Sequence, residues 1–323
     1  MRRSGSGRRL LAVLLFGLAG CAGIPDTVRS LPDEDIAVEL VDTPFFAQDR
    51  YQCGPAALAT ALVASDAKVS LEGIERKVYI PGRKGSLQFE MLAATRTSDR
   101  MPYLLDKSLA AIVAELEAGR PVVVLQNLGL SWIPRWHYAV VVGIDGNDDR
   151  VVLRSGTDSR RITPIDLFLR TWARSDFWAM SVIRPGEMPA IVDRARYFDA
   201  VVGLEQAGMA ESAALAWQAA LDAWPDNPTA LFGLGNARLI LEDYAAAEEA
   251  YLAMLAVRPG FAAAHNNLAF TLAKQGRFQA ALEEISRGLE QATDQLLVDE
   301  LIDTRAMIEL ELKNTAEGLR PTD

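Results

Sequence analysis

The sequence predicts an α+β domain followed by an all-α repeat domain. Half of the 323 residues are apolar, so the chain can bury the cores of two domains. In the first half, helical segments precede a series of short β-branched runs, which is the order expected of an α+β domain. From residue 194 onward the sequence is Ala-rich and helical, and it repeats at a fixed spacing, as solenoid proteins do.

The chain begins with a segment typical of bacterial export signals. Residues 1–9 are basic, and residues 10–20 form an apolar run that is too short to span a bilayer but suits a signal-peptide core. The run ends in Leu18-Ala19-Gly20-Cys21, which resembles the lipid-attachment site of bacterial lipoproteins. The resemblance implies a signal peptide over residues 1–20 and a Cys21 acylated after cleavage. Because Ala22 rather than Asp follows, it also implies an outer-membrane location facing the periplasm. An ordinary secretory signal is the alternative.

The charge of the chain excludes one class of partner. The formal net charge is −10 at pH 7, and the four arginines among the first nine residues belong to the segment expected to be cleaved. Because a protein this acidic repels nucleic-acid phosphates, we expect neutral or basic partners and no nucleic acid.

The elements of the α+β domain can be placed in order along residues 36–186. Residues 21–35 before it are polar and aperiodic, which indicates a tether. Helices are expected at residues 55–64, 70–79, 87–96 and 108–118, and strands at residues 36–40, 121–126, 137–144, 150–154 and 178–183. Arg184-Pro185-Gly186 and Pro189 then mark a linker.

Residues 194–313 carry the repeat. Four columns hold a spacing of 34 residues: Pro225 and Pro259; Ala213, Ala247 and Ala281; Trp217, Tyr251 and Ile285; Gly208, Glu242 and Gly276. The spacing resembles the tetratricopeptide family, with units at about 194–227, 228–261 and 262–295. Residues 296–313 are expected to form a capping helix, and residues 314–323 a tail. Coincidental spacing in an Ala-rich bundle is the alternative.

Apart from Cys21, the chain has one cysteine and two histidines. Cys53 immediately precedes the predicted helix, where the helix dipole and an imidazolium would lower the pKa of a thiol. His137 begins a predicted strand, and the two residues can meet in the fold. A lone cysteine can also be a small buried hydrophobe. His265 lies on the repeat column of Tyr197 and Leu231, which predicts a packed helix residue. With the two histidines in different domains, we expect no metal site and no cofactor.

Two motifs give the chain a resemblance to a known family. Gln48 with Cys53-Gly54-Pro55-Ala56, then Gly85-Ser86-Leu87, and later His137-Tyr138-Ala139-Val140-Val141-Val142-Gly143, resemble papain-like peptidases that cleave double-glycine leaders from bacteriocins. The resemblance covers about residues 40–183. It implies a papain-like cysteine peptidase with Cys53 as nucleophile, His137 as general base and acid, and Gln48 as an oxyanion-hole donor. Without a phosphate loop, the chain resembles stand-alone lipoproteins that join such a domain to tetratricopeptide repeats.

The sequence departs from the family pattern at two places. Gln48 lies five residues before Cys53 where the family usually has six, and Gln52 is too close to the cysteine to replace it. The third catalytic residue, commonly Asp before Pro, is replaced by Ser155-Gly156. Ser155 is therefore the aligned candidate, although a hydroxyl adds no negative charge. Asp158 is the alternative, and Asp145 is assigned to a β-turn.

These observations predict a lipid-anchored periplasmic cysteine peptidase whose repeats recruit a protein partner or a peptide substrate. Two alternatives remain: an inactive peptidase-like scaffold, and non-proteolytic acyl transfer, such as transpeptidation or deamidation, by the same pair. Trp132 and Trp136 precede His137 and are expected either to line a peptide groove or to pack under a loop.

Overall fold

The computed structural model describes residues 24–33, 35–47 and 52–318. Cys21 and Gln48, two residues with predicted roles, lie outside these ranges. In the described part of the chain, no helix combines the length and apolarity needed to cross a membrane.

Six α-helices and one short 3-10 helix, Pro81–Arg83, lie in the described part of the first domain. The α-helices are α1 (Asp26–Arg29), α2 (Cys53–Ala64), α3 (Leu71–Val78), α4 (Gln88–Arg96), α5 (Leu109–Glu117) and α6 (Ile165–Ala173). Two of the predicted helix starts are fixed by serine caps. Ser70 accepts the backbone N–H of Gly73 ahead of α3, and Ser108 accepts that of Ala111 ahead of α5, which satisfies donors that the helix leaves unpaired.

The helices cover an antiparallel sheet of seven strands. These are β1 (Ala37–Glu39), β2 (Met101–Leu104), β3 (Val122–Asn127), β4 (Trp136–Asp145), β5 (Arg150–Ser155), β6 (Asp158–Pro164) and β7 (Ala179–Ile183). Their order is β2-β7-β3-β4-β5-β6, and β1 also pairs with β4. The central strand β4 is buried along most of its length, which explains its nearly continuous run of valines.

Side-chain alternation divides the core into two layers. Tyr138, Val140 and Val142 of β4 pack with α2, α3 and α4 on one face of the sheet. Ala139 and Val141 pack with α5 and α6 on the other face. Because successive strand residues point to opposite faces, His137 lies on the α6 side of β4.

Three elements between residues 101 and 173 were not expected from the sequence. The β2 strand pairs with β7 at the edge of the sheet, and β6 followed by α6 occupies residues 158–173, for which the sequence patterns predict no element.

The expected tether also differs in its described part. Val28 of α1 is buried, Ile24 and Leu31 pack against the same core, and Arg29 forms an ion pair with Asp166 at the start of α6.

The second domain consists of paired helices. They are α7 (Arg194–Gln206), α8 (Ala210–Ala223), α9 (Pro228–Ile240), α10 (Tyr244–Val257), α11 (Ala262–Lys274), α12 (Phe278–Gln291) and α13 (Gln295–Gly318). Each helix packs against its neighbour in sequence, and α13 covers α11 and α12. The structure thus confirms the predicted fold class of an α+β domain followed by an all-α repeat domain.

The repeat columns have a structural reason. The alanines Ala213, Ala247 and Ala281 are fully buried where paired helices cross. The large side chains of another column fill the core beside them, namely Trp217, Tyr251 and Ile285. The column of Gly208, Glu242 and Gly276 lies in the turn between the two helices of each repeat. Gly208, Glu242 and Gly276 all have positive φ there (74°, 59° and 77°), a conformation that glycine adopts without strain.

The two domains share one continuous hydrophobic core. Tyr103 of β2 and Tyr197 of α7 belong to the same buried cluster. Polar contacts reinforce this junction: the Tyr103 hydroxyl accepts the N–H of Asp193 at 2.9 Å, and Arg196 pairs with Asp106 at 2.7 Å. The buried carboxylate of Glu115 accepts the N–H of Ala190 at 2.7 Å. The Pro-rich segment between the domains is therefore held against the first domain.

Candidate active site

Cys53 is the first residue of α2, two residues before the predicted helix start. Its side chain lies at the positive end of the helix dipole. The backbone N–H groups of Tyr138, Gly54 and Cys53 itself lie near the sulfur and act to lower the pKa of the thiol. Because Tyr138 follows His137, the sulfur lies beside the strand end that carries the imidazole.

The Cys-Gly and Gly-Ser-Leu motifs meet at this helix start. A Cβ at position 54 would lie 2.4 Å from the Ser86 hydroxyl oxygen and 3.5 Å from the Tyr138 ring. The distance to Ser86 is too short for a real Cβ contact, whereas the distance to the Tyr138 ring is an ordinary one. Gly54 therefore lets the start of α2 lie against Ser86, which brings the two motifs together.

The thiol of Cys53 is not activated in this structure. Burial raises the pKa of Cys53 above its ordinary value, and it outweighs the opposing effect of the three N–H groups. This direction is the reverse of the lowered pKa expected from the sequence. The helix terminus is present as predicted, but desolvation of the sulfur dominates it.

His137 and Ser155 are brought together by the β4–β5 hairpin. One lies near the start of β4 and the other at the end of β5, and His137 Nε2 is 2.7 Å from Ser155 Oγ. Ser155, which the sequence places where the third catalytic residue usually lies, thus forms a hydrogen bond with His137. A neutral imidazole whose Nε2–H donates to the hydroxyl leaves Nδ1 free to act as a base.

The environment of His137 strongly disfavours its charged form. Burial, followed by the positive charges of Arg161 and Arg135, lowers the pKa of His137 to about 4. The imidazole is therefore neutral at pH 7. In this state the site holds a thiol and a neutral imidazole, and the thiolate–imidazolium couple expected from the sequence is not stabilised.

The other predicted candidates lie elsewhere. Gln52 donates its amide N–H to Glu75 at 2.8 Å, which directs it away from an oxyanion role. Asp158 is exposed and lies opposite Ser155 in the strand register across the β5–β6 turn. Among the described residues, Ser155 and not Asp158 bonds the imidazole. Asp145 accepts the N–H of Asp148 and pairs with Arg150, as its assignment to a turn predicts.

A cavity of about 230 Å³ opens on the α6 side of His137. Its lining includes Gln126, His137, Ser155, Arg161, Leu167 and Thr171. Gln126 is the cross-strand partner of His137, and its amide donates to the Thr171 hydroxyl at 2.7 Å. Cys53 packs with the α2 layer, so the thiol and the imidazole ring lie on different sides of the β4 backbone.

The loop between β3 and β4 projects apolar side chains beside this site. Trp132 and Trp136 are 76% and 54% exposed, so they do not pack under the loop. The loop is held by the Asn127 side chain, whose oxygen accepts the N–H groups of Gly129 and Arg135 at 2.9 Å. The loop therefore presents an apolar surface next to His137.

The second histidine has a structural role. His265 of α11 is buried, and its two ring nitrogens bond Glu284 at 2.7 Å and the Pro259 carbonyl oxygen at 2.9 Å. As its repeat column predicts, His265 is a packed residue that connects α11 to α12.

Comparison with known families assigns each half of the chain. Residues 40–179 match the Peptidase C39 like family. Residues 198–256 and 238–302 match two tetratricopeptide repeat families. A comparison with curated proteins gave no match.

Solved structures from both groups match parts of the chain. A candidate C39-like peptidase from Bacillus anthracis is 18% identical, with 46% of this chain and 98% of that chain covered and a TM-score of 0.39. The first tetratricopeptide domain of human RPAP3 is 17% identical, with coverages of 38% and 95% and a TM-score of 0.36. The Yersinia enterocolitica secretion chaperone SycD, in complex with a YopD peptide, is 17% identical, with coverages of 36% and 92% and a TM-score of 0.35. The chain thus consists of a Peptidase C39-like domain over residues 40–179, followed by tetratricopeptide repeats.

Proposed function

We propose that the protein is a cysteine peptidase in which Cys53 is the nucleophile and His137 the general base. One observation carries this proposal: the sulfur at the start of α2 lies beside the backbone N–H of Tyr138, the residue next to His137, and the His137 ring is oriented by Ser155. A family match over residues 40–179 supports peptide-bond chemistry at this pair.

The proposed reaction starts from a neutral pair. Substrate binding displaces water from the site. The His137 ring, which lies on the α6 side at the start of β4, turns toward the thiol and takes its proton as the sulfur attacks the scissile carbonyl carbon. The N–H groups at the start of α2 then stabilise the oxyanion, and Gln48 is the proposed side-chain donor. The imidazolium gives its proton to the leaving amine, which leaves an acyl-enzyme on Cys53 that water hydrolyses.

The repeats are proposed to bind a protein partner or the substrate itself. Tetratricopeptide repeats commonly mediate protein–protein contacts, and their stacked helices offer an extended surface for a peptide. The continuous core between the domains supports a fixed orientation of this surface relative to the active site.

The location is also part of the proposal. The resemblance of residues 18–21 to a lipid-attachment site supports acylation of Cys21 and a periplasmic position at the outer membrane. Mass spectrometry of membrane-derived protein tests this: we expect an acylated Cys21 at the mature N-terminus, and a Cys21→Ala variant that remains an unprocessed precursor.

Cleavage of a diverse peptide mixture, followed by mass spectrometry, tests the enzymatic proposal. Wild-type protein should produce new peptide termini that are absent with Cys53→Ala and with His137→Ala. The matched control is His265→Gln, which changes the other histidine and should cleave like the wild type. Identical product sets from wild type and Cys53→Ala would contradict the proposal.

A second candidate function is peptide binding without cleavage. It is favoured by the raised pKa of the Cys53 thiol, by the lowered pKa of His137 and by the position of the imidazole ring on the α6 side of β4. In this case, Cys53→Ala should bind the same peptides as the wild type, and neither protein should change them.

A further inference from the structure

The cavity on the α6 side of His137 contains one cation among neutral polar groups. Arg161 lines it from β6, together with the hydroxyl groups of Ser155 and Thr171 and the amide of Gln126. Arg161 pairs with Leu153 in the strand register, so its side chain lies on the cavity face. Arg135 adds a second positive charge near the imidazole.

Among the described residues, no acidic side chain forms an ion pair with Arg161. Its neighbour in sequence, Arg160, forms two hydrogen bonds with Glu39 on the opposite face of the strand, at 2.7 and 2.8 Å. Asp166 on α6 is paired with Arg29, and Asp176 with Lys107. Asp158 lies across the β5–β6 turn from Ser155 and is exposed, and it forms no described ion pair with Arg161. The described cavity lining thus contains a guanidinium and no carboxylate.

The same site lacks the carboxylate that usually supports a catalytic histidine. Ser155 occupies that position, and a hydroxyl can orient the ring but cannot stabilise its positive charge. An anion entering the cavity would lie between Arg161 and His137. It would neutralise the guanidinium that now disfavours the imidazolium, and would itself favour the protonated ring.

We propose that this cavity is a binding subsite for a carboxylate group of the substrate, held by Arg161 and completing the charge arrangement around His137. The volume of about 230 Å³ exceeds the roughly 150 Å³ of a cavity that admits benzene, so a carboxyl-bearing side chain or a peptide C-terminus fits. The inference refines the proposed peptidase function by naming an acidic substrate class, and it applies equally to a binding protein.

The test is a titration of His137 by NMR in the full-length Cys53→Ala variant, which cannot cleave its ligand. With two histidines in the chain, the imidazole signals are readily separated. Three N-acetylated peptides serve as probes: acetyl-Gly-Glu-Gly-amide, its Gln counterpart, and acetyl-Gly-Gly-Gly with a free C-terminus. A bound carboxylate should raise the pKa of His137 by about one pH unit or more, whereas the Gln peptide should not.

Matched variants assign the effect to Arg161. In Arg161→Gln the response to the acidic peptides should be lost, and in Arg160→Gln, which makes the same charge change on the other face of β6, it should remain. A response to the Glu peptide identifies a side-chain carboxylate as ligand, and a response to the third peptide identifies the C-terminus. Equal responses to the Glu and Gln peptides, no response to any peptide, or a response that survives Arg161→Gln would overturn the proposal. Since no cleavage is measured, failure here is separate from failure of the peptidase proposal.

Discussion

At the scale of single residues, the proposed pairing of Cys53 with His137 depends on the charge around the imidazole. Ser155 supplies a hydrogen bond without a charge, while Arg161 and Arg135 oppose protonation of the ring. The sulfur is buried, which favours the thiol. The resting site therefore needs a further negative charge to form an ion pair.

The first prediction concerns the reactivity of Cys53. Its alkylation by iodoacetamide should rise only above the ordinary thiol pKa of about 8.5, because burial favours the thiol. Ser155→Asp should move this profile to lower pH by placing a carboxylate against His137, and Ser155→Asn should not, since it keeps a polar group without the charge. A wild-type profile already complete at pH 6 would show that a thiolate exists at rest.

The second prediction concerns stability in acid. The pKa of His137 is about 4 in the folded protein and about 6.5 when unfolded, so the unfolded chain binds more protons between these values. The stabilising effect of the neutral ring is complete above pH 6.5 and is lost as the pH falls toward 4. Urea unfolding should show a fall of up to about 3 kcal/mol across this window from His137, absent in His137→Phe. An equal pH dependence in both proteins would contradict the buried, neutral imidazole.

The sequence could predict some site residues and not others. Cys53, His137 and Ser155 belong to short local motifs, whose residues and spacing can be read from a single sequence. Arg161 could not be found this way, because β6 is mostly exposed and has no apolar alternation. Its approach to His137 depends on the register between β5 and β6, which local patterns do not contain.

At the scale of elements, periodicity predicts long regular segments better than short or edge ones. The repeat helices follow from columns that recur every 34 residues. The edge strand β2 has four residues and contains Pro102, so it resembles a loop. The α6 helix was missed although Ile165, Phe168, Leu169 and Trp172 have helical spacing and are buried, a signal that could have identified it.

The third prediction concerns the turn column of the repeats. Glu242 has a φ of 59° where Gly208 and Gly276 occupy the equivalent turns, so its Cβ is strained. Glu242→Gly should stabilise the protein by about 0.5–1 kcal/mol in urea unfolding, the relief of strain exceeding the added chain entropy. Glu242→Ala should give no such gain, because it keeps the Cβ. A destabilising Glu242→Gly would show that the turn is unstrained.

At the scale of the whole molecule, the two domains are joined by a packed interface rather than a free linker. The Tyr103 hydroxyl, the Arg196–Asp106 ion pair and the buried Glu115 each connect the first domain to the start of the second. The sequence marks a break near Pro185 but cannot show this contact, which forms between residues distant in the chain.

The fourth prediction follows from that interface. A fragment of residues 190–323 should fold as a helical protein, because its repeats bury their own core. The α7 helix loses its contacts with β2 in the fragment, so its amides should exchange with solvent faster than in the full chain. Circular dichroism and hydrogen exchange measure the two effects. A coil spectrum would show that the repeats depend on the first domain, and unchanged α7 exchange would show that the interface adds no stability.

The central claim is that Cys53 and His137 act together on an acyl group, and acylation by p-nitrophenyl acetate tests it without knowledge of the substrate. Wild-type protein should release a burst of nitrophenolate and carry one acetyl group at Cys53 by mass spectrometry. In His137→Ala this burst should slow by about 10²-fold or more, the usual effect of losing a general base. An unmodified Cys53, or equal rates in wild type and His137→Ala, would contradict the claim.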